Sequence, residues 1–294
     1  MSNDLYPLVD KFLLQLKEHQ QRSPATSRNY RLYLLRFLDW LNKTTKTKAG
    51  LDDISIQTVN KFHRFLSSRN LSGLNLSPAT QNYHLIALRS FLKFLQQHHY
   101  KSLNPKAVKL DQAGEHHFLA IKANELERLL AAPGKAQESN LVRLRDRALL
   151  ELICATGLKV SALVRLSRHN LSSDGTIISL LLKNAQAKNN FKLSHQAQYH
   201  LQQYQAARPD KNPALFVRHD RADKNHQESA LTARSIQRIL ERYRRLAGLK
   251  GKITPSVLRH AYAFNLLKQG TDIKTVKTLL GHQHLTTTKI YQTS

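Results

Sequence analysis

The apolar residues of the first hundred positions recur at intervals of three and four, which is the period of an amphipathic helix. In the first segment, Leu8, Phe12 and Leu16 form such a stripe. The pattern predicts helices in four segments: LVDKFLLQLKEHQ (8–20), SPATSRNYRLYLLRFLDWLN (23–42), SIQTVNKFHRFLSSRN (55–70) and LSPATQNYHLIALRSFLKFLQQHH (76–99).

Two of these segments begin with Ser-Pro, at Ser23-Pro24 and Ser77-Pro78. Serine is a preferred N-cap, and proline is favoured at the first helical position. The echo between SPATSRNY and SPATQNYH is therefore interpreted as two similar helix starts. Two copies are too few for a solenoid.

Helical periodicity is lost between residues 105 and 122, a stretch that contains Pro105 and Gly114. Such a stretch is typical of a connection between domains. The sequence thus predicts a helical domain over residues 1–104, a linker over 105–122 and a second domain over 123–294.

The second domain combines helices with a short β-hairpin. The polar turn KNAQAKNN (183–190) separates the expected strands TIISLLL (176–182) and FKLS (191–194), and Gly157 is expected to end a helix as its C-cap. We expect a mainly α fold, with a mixed α/β second domain. Its helices are predicted in ANELERLLAA (123–132), ESNLVRLRDRALLELICATG (138–157), HQAQYHLQQYQAA (195–207), TARSIQRILERYRRLAG (232–248), TPSVLRHAYAFNLLKQG (254–270) and DIKTVKTLLGH (272–282).

The net charge is the feature of the composition that says most about function. The 294 residues include 46 Lys and Arg against 20 Asp and Glu, a formal net charge of +26. Such a chain repels itself and favours a polyanionic partner, of which double-stranded DNA is the first candidate. From Ser229 onward the acids are Glu241 and Asp272 alone, so the C-terminal part is expected to bind most tightly. A cationic solubility surface is the structural alternative. A membrane-surface role fits less well, because the basic residues are spread over many elements.

Other classes of function find little support. No apolar run approaches the roughly 18–20 residues that span a bilayer, and the N-terminus lacks the features of a secretory signal. The one cysteine, Cys154, excludes an internal disulfide framework and fits a reducing cytoplasm. No nucleotide-binding P-loop is present, and neither carboxylates nor histidines have a metal-binding spacing. We therefore expect no cofactor, metal or nucleotide.

What remains is a tyrosine near the end of the chain, Tyr291, among cations and hydroxyls. A phenol oxygen can attack a phosphodiester and hold it as a covalent intermediate. Arginine and lysine can neutralise the charge that develops on the phosphate, and a lysine can protonate the departing oxygen.

Three motifs carry a family resemblance: ATGLKVSALVRL (155–166), SVLRHAYAFNLLKQGTDIKTVKTLLGH (256–282) and TTTKIY (286–291). They resemble the sequence boxes of the tyrosine recombinase (lambda-integrase) family, most of all its Xer-type branch. The N-terminal helices resemble that family's SAM-like core-binding domain, and LNPKAVKL (103–110) resembles its linker. The resemblance implies a site-specific recombinase that cleaves and rejoins DNA through a 3′-phosphotyrosine. It also implies a homo- or hetero-tetramer on two DNA sites, in the cytoplasm at the nucleoid.

Residue by residue, the resemblance assigns Tyr291 as the nucleophile, Arg259 as a phosphate-clamping arginine and His282 as a contact to the scissile phosphate. Lys183 matches the hairpin lysine that acts as general acid. Asn184 follows it where the family usually has glycine, so Lys188 is a rival for that role.

Two positions depart from the family pattern: Lys159 stands where an arginine is usual, and Ser256 where a histidine is usual. Lysine is a point charge, whereas arginine grips phosphate with two parallel bonds, and serine is no base near neutral pH. If each change costs about 2–3 kcal/mol, cleavage would be slower by roughly 10³–10⁴-fold. An impaired, DNA-binding recombinase fold is therefore the alternative, and a type IB topoisomerase a distant third.

Purely structural roles also stay open for three residues: Lys159 as a charge at a helix C-terminus, Ser256 as part of an N-cap, and His282 as a cap. Relatives in the Xer-type branch continue past the tyrosine with a helix that docks on a neighbouring protomer. Here three residues follow Tyr291, so we expect either that another surface couples the protomers or that the chain is truncated.

Overall fold

The computed structural model describes residues 4–18, 24–46, 48–68, 76–111, 121–181, 188–219 and 229–292. The chain divides into two compact units, Met1–His116 and His117–Ser294. Residues 112–120 of the expected linker lie outside the described residues, and its bounds stay a prediction. Within the described ranges, no helix combines the length and apolar character that crossing a bilayer requires.

The N-terminal unit is built from helices, as its periodicity predicts. Ser55 and Ser77 cap two of them, each accepting a hydrogen bond from the backbone N–H three residues on, and Pro78 follows as the first helical residue. The helices are α1 (Leu5–Glu18), α2 (Pro24–Thr45), α3 (Ile56–Ser67) and α4 (Pro78–Gln97).

Aromatic rings fill the core of this unit. Phe12 of α1 packs on Phe91 of α4 with ring centroids 5.7 Å apart, and Phe37 of α2 meets Phe62 of α3 edge to face at 5.0 Å. Val108, in the segment expected to form the linker, is buried in the same core.

The C-terminal unit carries the remaining helices and one two-stranded sheet. Its helices begin after N-caps that the sequence provides, such as Ser139, Ser194 and Thr232. The elements are α5 (Ala123–Ala131), α6 (Asn140–Thr156), α7 (Val160–Leu163), β1 (Ile177–Leu180), β2 (Asn189–Lys192), α8 (His195–Ala207), α9 (Ala233–Leu246), α10 (Pro255–Lys268), α11 (Ile273–Leu280) and α12 (Thr286–Lys289).

Helix α6 is the centre of the C-terminal unit. Residues 148–153 are all buried, which fits a helix surrounded on every side, and α8 and α10 pack against it. The helix is also tied to α9, because the Tyr243 hydroxyl donates to the carboxylate of Asp146, 2.9 Å away. Arg145 pairs with that same buried carboxylate, whose pKa burial raises.

The hairpin differs in part from its prediction. The strands pair antiparallel with Leu180 opposite Asn189, so the second strand begins two residues before the expected FKLS segment and ends at Lys192. The expectation failed because apolar character favoured residues 191–194, whereas Ser194 serves as the N-cap of α8. The short helices α7 and α12 were also not predicted.

Gly157 ends α6 in the left-handed conformation, with φ at 56°, and confirms the predicted C-cap. A Cβ at this position would lie 2.4 Å from Cδ1 of Tyr262 on α10. Both backbone conformation and close packing therefore require glycine here.

We expect Gly157→Ala to lower the free energy of unfolding by roughly 3 kcal/mol, because left-handed alanine costs about 1–2 kcal/mol and the Tyr262 ring must also move. Gly248→Ala is the matched control: its φ is 64°, but nothing lies within 4 Å of the added methyl. Urea unfolding followed by circular dichroism should give the control a loss of about 1–2 kcal/mol. Equal losses in the two variants would contradict the packing argument.

Candidate active site

Arg259, on α10, joins the C-terminal ends of two other helices. Its guanidinium donates to the carbonyl of Gly157 at 2.8 Å, just after α6, and to the carbonyl of Leu280, the last residue of α11. Both helices end at a left-handed glycine, Gly157 or Gly281. Carbonyls at helix C-termini lack helical partners and carry partial negative charge, so a buried cation is a favourable partner for them.

The charge of Arg259 is not neutralised by these contacts. The side chain is 7% exposed, and among the residues that the structure describes no carboxylate pairs with it. Burial lowers its pKa to about 10, so the guanidinium stays protonated at neutral pH. A buried charge without a counterion favours binding of an anion.

Tyr291 lies just beyond α12 with its ring buried. It is 4% exposed and packs in a small apolar cluster with Ala263 of α10 and Val276 and Leu280 of α11. Its hydroxyl lies 2.8 Å from Nδ1 of His260, on α10. Burial raises the pKa of the phenol, and the nearby charge of Arg259 opposes that rise, so the hydroxyl carries its proton near neutral pH.

His282 is fixed at the end of α11. Its backbone N–H donates to the carbonyl of Lys277 at 3.0 Å, and its ring Nδ1 lies 2.9 Å from the hydroxyl of the buried Thr288. The imidazole stacks on Tyr291 with centroids 6.3 Å apart. The backbone of His282 thus takes part in the cap, while its ring is held toward the tyrosine by Thr288.

The imidazole of His282 is neutral at physiological pH. Burial, then the charges of Arg259 and Lys159, then His260 lower its pKa to about 4. The ammonium of Lys159 is therefore within electrostatic reach of the ring.

The structure leaves the structural alternative for Lys159 open and assigns the capping role considered for Ser256 to a different residue. Lys159 is exposed and is the N-cap residue of α7, two residues beyond the glycine that ends α6. Ser256 is exposed in the first turn of α10, and the cap of that helix is Thr254, whose hydroxyl accepts from the N–H of Val257 at 3.3 Å. The capping role open to Ser256 is thus filled by another residue.

The described residues include one of the two candidate hairpin lysines. Lys183 lies outside the described residues, whereas Lys188 is exposed immediately before β2. Next to it, the Asn189 side chain donates to the carbonyl of Thr278 at 2.8 Å. This bond ties the start of β2 to the last turn of α11, the helix that leads to His282.

Sequence reasoning missed two residues of this cluster. His260 directly follows Arg259 and lies four residues after Ser256, which puts it on the same face of α10 one turn later. That spacing was the available signal. Thr288 belongs to a run of three threonines, and nothing in the sequence distinguishes the buried one.

The cluster contains cations, two imidazoles and a protonated phenol, which are brought together by α10, by the C-terminal ends of α6 and α11 and by the segment after α12. Hydroxyl and imidazole groups can exchange a proton, and the cations can hold a phosphate diester beside the phenol. The arrangement is suited to nucleophilic attack by an oxygen on phosphorus.

Two family models match the chain. The model of the phage integrase family covers residues 120–294, and the model of the phage integrase N-terminal SAM-like domain covers residues 9–99.

The chain is similar to tyrosine recombinases of two kinds, XerC and XerD. Tyrosine recombinase XerC of Pelotomaculum thermopropionicum is 31% identical, over 98% of this chain and 93% of its own length. Tyrosine recombinase XerD of Listeria innocua serovar 6a is 29% identical, over 97% of this chain and 93% of its own length.

Solved structures share the fold. XerH site-specific recombinase bound to its difH substrate, in a pre-cleavage complex, matches with a TM-score of 0.70 at 22% identity, over 96% of this chain and 80% of that one. A lambda integrase dimer bound to a COC′ core site matches with a TM-score of 0.70 at 16% identity, over 98% of this chain and 77% of that one.

The electrostatics of the cluster can be tested at His282. We expect its imidazole to titrate with a midpoint of about 4. Lys159→Gln should raise that midpoint, because a neighbouring positive charge disfavours the protonated ring and its removal relieves this. Nitrogen-15 NMR of histidine-labelled protein measures the shift, with Lys135→Gln as control. An unchanged midpoint in Lys159→Gln would remove Lys159 from the site.

Proposed function

The chain belongs to the phage integrase family, and we propose that it is a site-specific tyrosine recombinase that cleaves and rejoins duplex DNA. The observation that carries the proposal is the convergence of Tyr291, Arg259 and His282 at one place from separate parts of the C-terminal unit. A buried phenol beside an uncompensated guanidinium has the chemistry that attack on a phosphodiester needs.

In the proposed reaction, the Tyr291 oxygen attacks a backbone phosphate, forms a 3′-phosphotyrosine and releases a 5′-hydroxyl. Arg259 and Lys159 neutralise charge on the nonbridging oxygens, and His282 donates a hydrogen bond to the phosphate. Lys183 or Lys188 protonates the departing oxygen. Attack by the 5′-hydroxyl of a partner strand reverses these steps. Since one phosphoester replaces another, no nucleotide, metal or other cofactor is required.

The positive charge supports double-stranded DNA as the partner. Helix α9 exposes arginines at intervals of three and four residues, which places them along one side of the helix. Two of these arginines form exposed ion pairs, Arg242 with Glu138 and Arg245 with Glu241. Exposed pairs of this kind are weak, so DNA phosphates can replace the glutamates. These arginines are Arg234, Arg238, Arg242 and Arg245.

Assembly on DNA follows from the same proposal. XerH was solved bound to its difH substrate, and lambda integrase as a dimer bound to a core site. For this chain we propose four protomers on two DNA sites, all of one kind or of two kinds. Its place would be the nucleoid in the cytoplasm.

A second candidate is a recombinase fold that binds DNA with little or no cleavage. Two observations favour it: a single ammonium stands at Lys159, and the side chain at Ser256 is an exposed hydroxyl. Lysine lacks the two-pronged grip of arginine, and serine cannot accept a proton near neutral pH.

The nucleophile is tested with a nicked suicide duplex carrying a site that the protein selects from a random pool. We expect a covalent adduct at Tyr291, located by peptide mass spectrometry after nuclease digestion. Tyr291→Phe should bind the duplex and form no adduct, because it lacks only the attacking oxygen. Tyr199→Phe, which changes an exposed tyrosine, is the control and should react like the wild type. An adduct in the Tyr291→Phe protein would overturn the assignment.

The two unusual positions are tested by restoring the family pattern. We expect Lys159→Arg to speed adduct formation about tenfold, since two parallel bonds to phosphate replace a point contact. A wild type that forms no adduct, beside an active Lys159→Arg, Ser256→His double variant, would establish the second candidate. Relaxed plasmid without recombinant products would indicate a topoisomerase instead.

A further inference from the structure

The hydroxyl of Tyr291 has a specific partner that the proposed reaction does not yet use. Nδ1 of His260 lies 2.8 Å from it, which is hydrogen-bond distance, and the two rings are tilted with centroids 5.4 Å apart. The nucleophile must lose its proton when it attacks, because burial keeps the phenol protonated beforehand. A group already in contact with that proton is in position to receive it.

The place of His260 in the helix makes this contact informative. It lies one turn after Ser256 on the same face of α10, and Ser256 occupies the position where the family usually has a histidine. The imidazole of His260 thus reaches the tyrosine directly, whereas Ser256, one turn earlier, is an exposed hydroxyl.

We propose that His260 is the general base of this enzyme, whose Nδ1 takes the proton of Tyr291 as the phenol oxygen attacks DNA. This inference rests on the proposed recombinase function and adds a catalytic residue to it. His260 then carries its own proton on Nε2, and the Tyr291 hydroxyl donates to Nδ1.

The surroundings of His260 favour the neutral form of its imidazole. Burial and then the charge of Arg259 lower the pKa of His260, which favours the neutral ring with a lone pair on one nitrogen, and in the proposed tautomer that nitrogen is Nδ1. Among the residues that the structure describes, the other titratable groups named in this cluster are Tyr291, Tyr262, His282 and Lys159, and none of these is a carboxylate. A DNA phosphate would offset the charge of Arg259 and strengthen the base when substrate is bound.

The competing bases are less well suited. Nδ1 of His282 is already engaged with Thr288, and that ring stacks on Tyr291 instead of meeting its hydroxyl. Ser256 has a hydroxyl, which does not accept a proton near neutral pH. Among the described contacts of the Tyr291 oxygen, His260 supplies the nitrogen.

The step is balanced as follows. The O–H bond of Tyr291 breaks and its proton binds Nδ1 of His260, while the phenol oxygen forms a bond to phosphorus. The bond from phosphorus to the 5′-oxygen breaks, and that oxygen takes a proton from Lys183 or Lys188. On rejoining, the 5′-hydroxyl returns its proton to the lysine, and imidazolium returns the other proton to the tyrosine.

The test compares two nicked duplexes of the selected site, one natural and one with sulfur replacing the bridging 5′-oxygen. A thiolate leaves without being protonated, so the sulfur substrate hides the loss of a general acid but not of a base. We expect His260→Asn, which keeps a polar atom near the Nδ1 position, to form adduct about 100-fold more slowly on both duplexes. His284→Asn, at an exposed histidine in the same region, is the control and should react like the wild type.

The pH profile separates a base from a purely structural contact. The rate for His260→Asn should keep rising with pH, because hydroxide must now remove the proton, whereas the wild-type rate should level off once His260 is neutral. A variant that matches the wild type on both duplexes, or recovers fully on the sulfur duplex, would overturn the inference and leave the recombinase function standing. No adduct with the wild type on either duplex would overturn both.

Nitrogen-15 NMR of the wild type gives a reading that does not depend on a variant folding. Nδ1 of His260 should carry no proton at neutral pH, and Nε2 should carry one. A protonated Nδ1 that donates to Tyr291 would contradict the proposal, because such a nitrogen cannot receive the phenol's proton.

Discussion

One buried cation determines how this site is built. The guanidinium of Arg259 spans the carbonyl ends of α6 and α11, so three helices are held by one side chain. Removing it would leave two buried carbonyls without these partners, a cost of about 1–3 kcal/mol for each. Because both helices end at left-handed glycines, their last carbonyls are free to turn toward a shared donor. His282 lies just beyond the second of these ends, and Tyr291 packs against Val276 and Leu280 of the same helix, so both positions depend on the contacts of Arg259.

Burial and, after it, the charge of the same cation influence the protonation of its neighbours. The cation disfavours imidazolium at His260 and His282, and burial keeps the phenol of Tyr291 protonated. The site without DNA is therefore a set of neutral groups around positive charge. An entering phosphate opposes the charge of Arg259 and raises the pKa of the imidazoles, which makes a neutral His260 a stronger base. Binding of the anion thus prepares the proton transfers that follow, with no change in the protein's own residues.

Local rules predicted the helices well and the site only in part. Serine and threonine caps, Pro78 and Gly157 fix helix ends within a few residues, so those boundaries followed from the sequence. The hairpin register could not be predicted from the sequence, because the polar Asn189 pairs with Leu180 through backbone groups, which carry no sequence signal. The motifs named Tyr291, Arg259 and His282, yet their contacts depend on tertiary packing. His260 was missed for that reason: its bond to Tyr291 spans 31 positions.

A base at His260 changes how the two unusual residues should be weighed. The sequence-based estimate treated Lys159 and Ser256 as two independent losses, but catalytic groups that act together are not additive. If the imidazole of His260 accepts the proton of Tyr291, serine instead of histidine at position 256 loses only a hydrogen bond to the phosphate. The serine hydroxyl can partly replace that bond. Lys159 keeps a full positive charge, which acts on His282. Compared with an arginine, it lacks only the second of two parallel hydrogen bonds to the phosphate. The combined cost is then smaller than the sum of the two, and an active enzyme is compatible with both replacements.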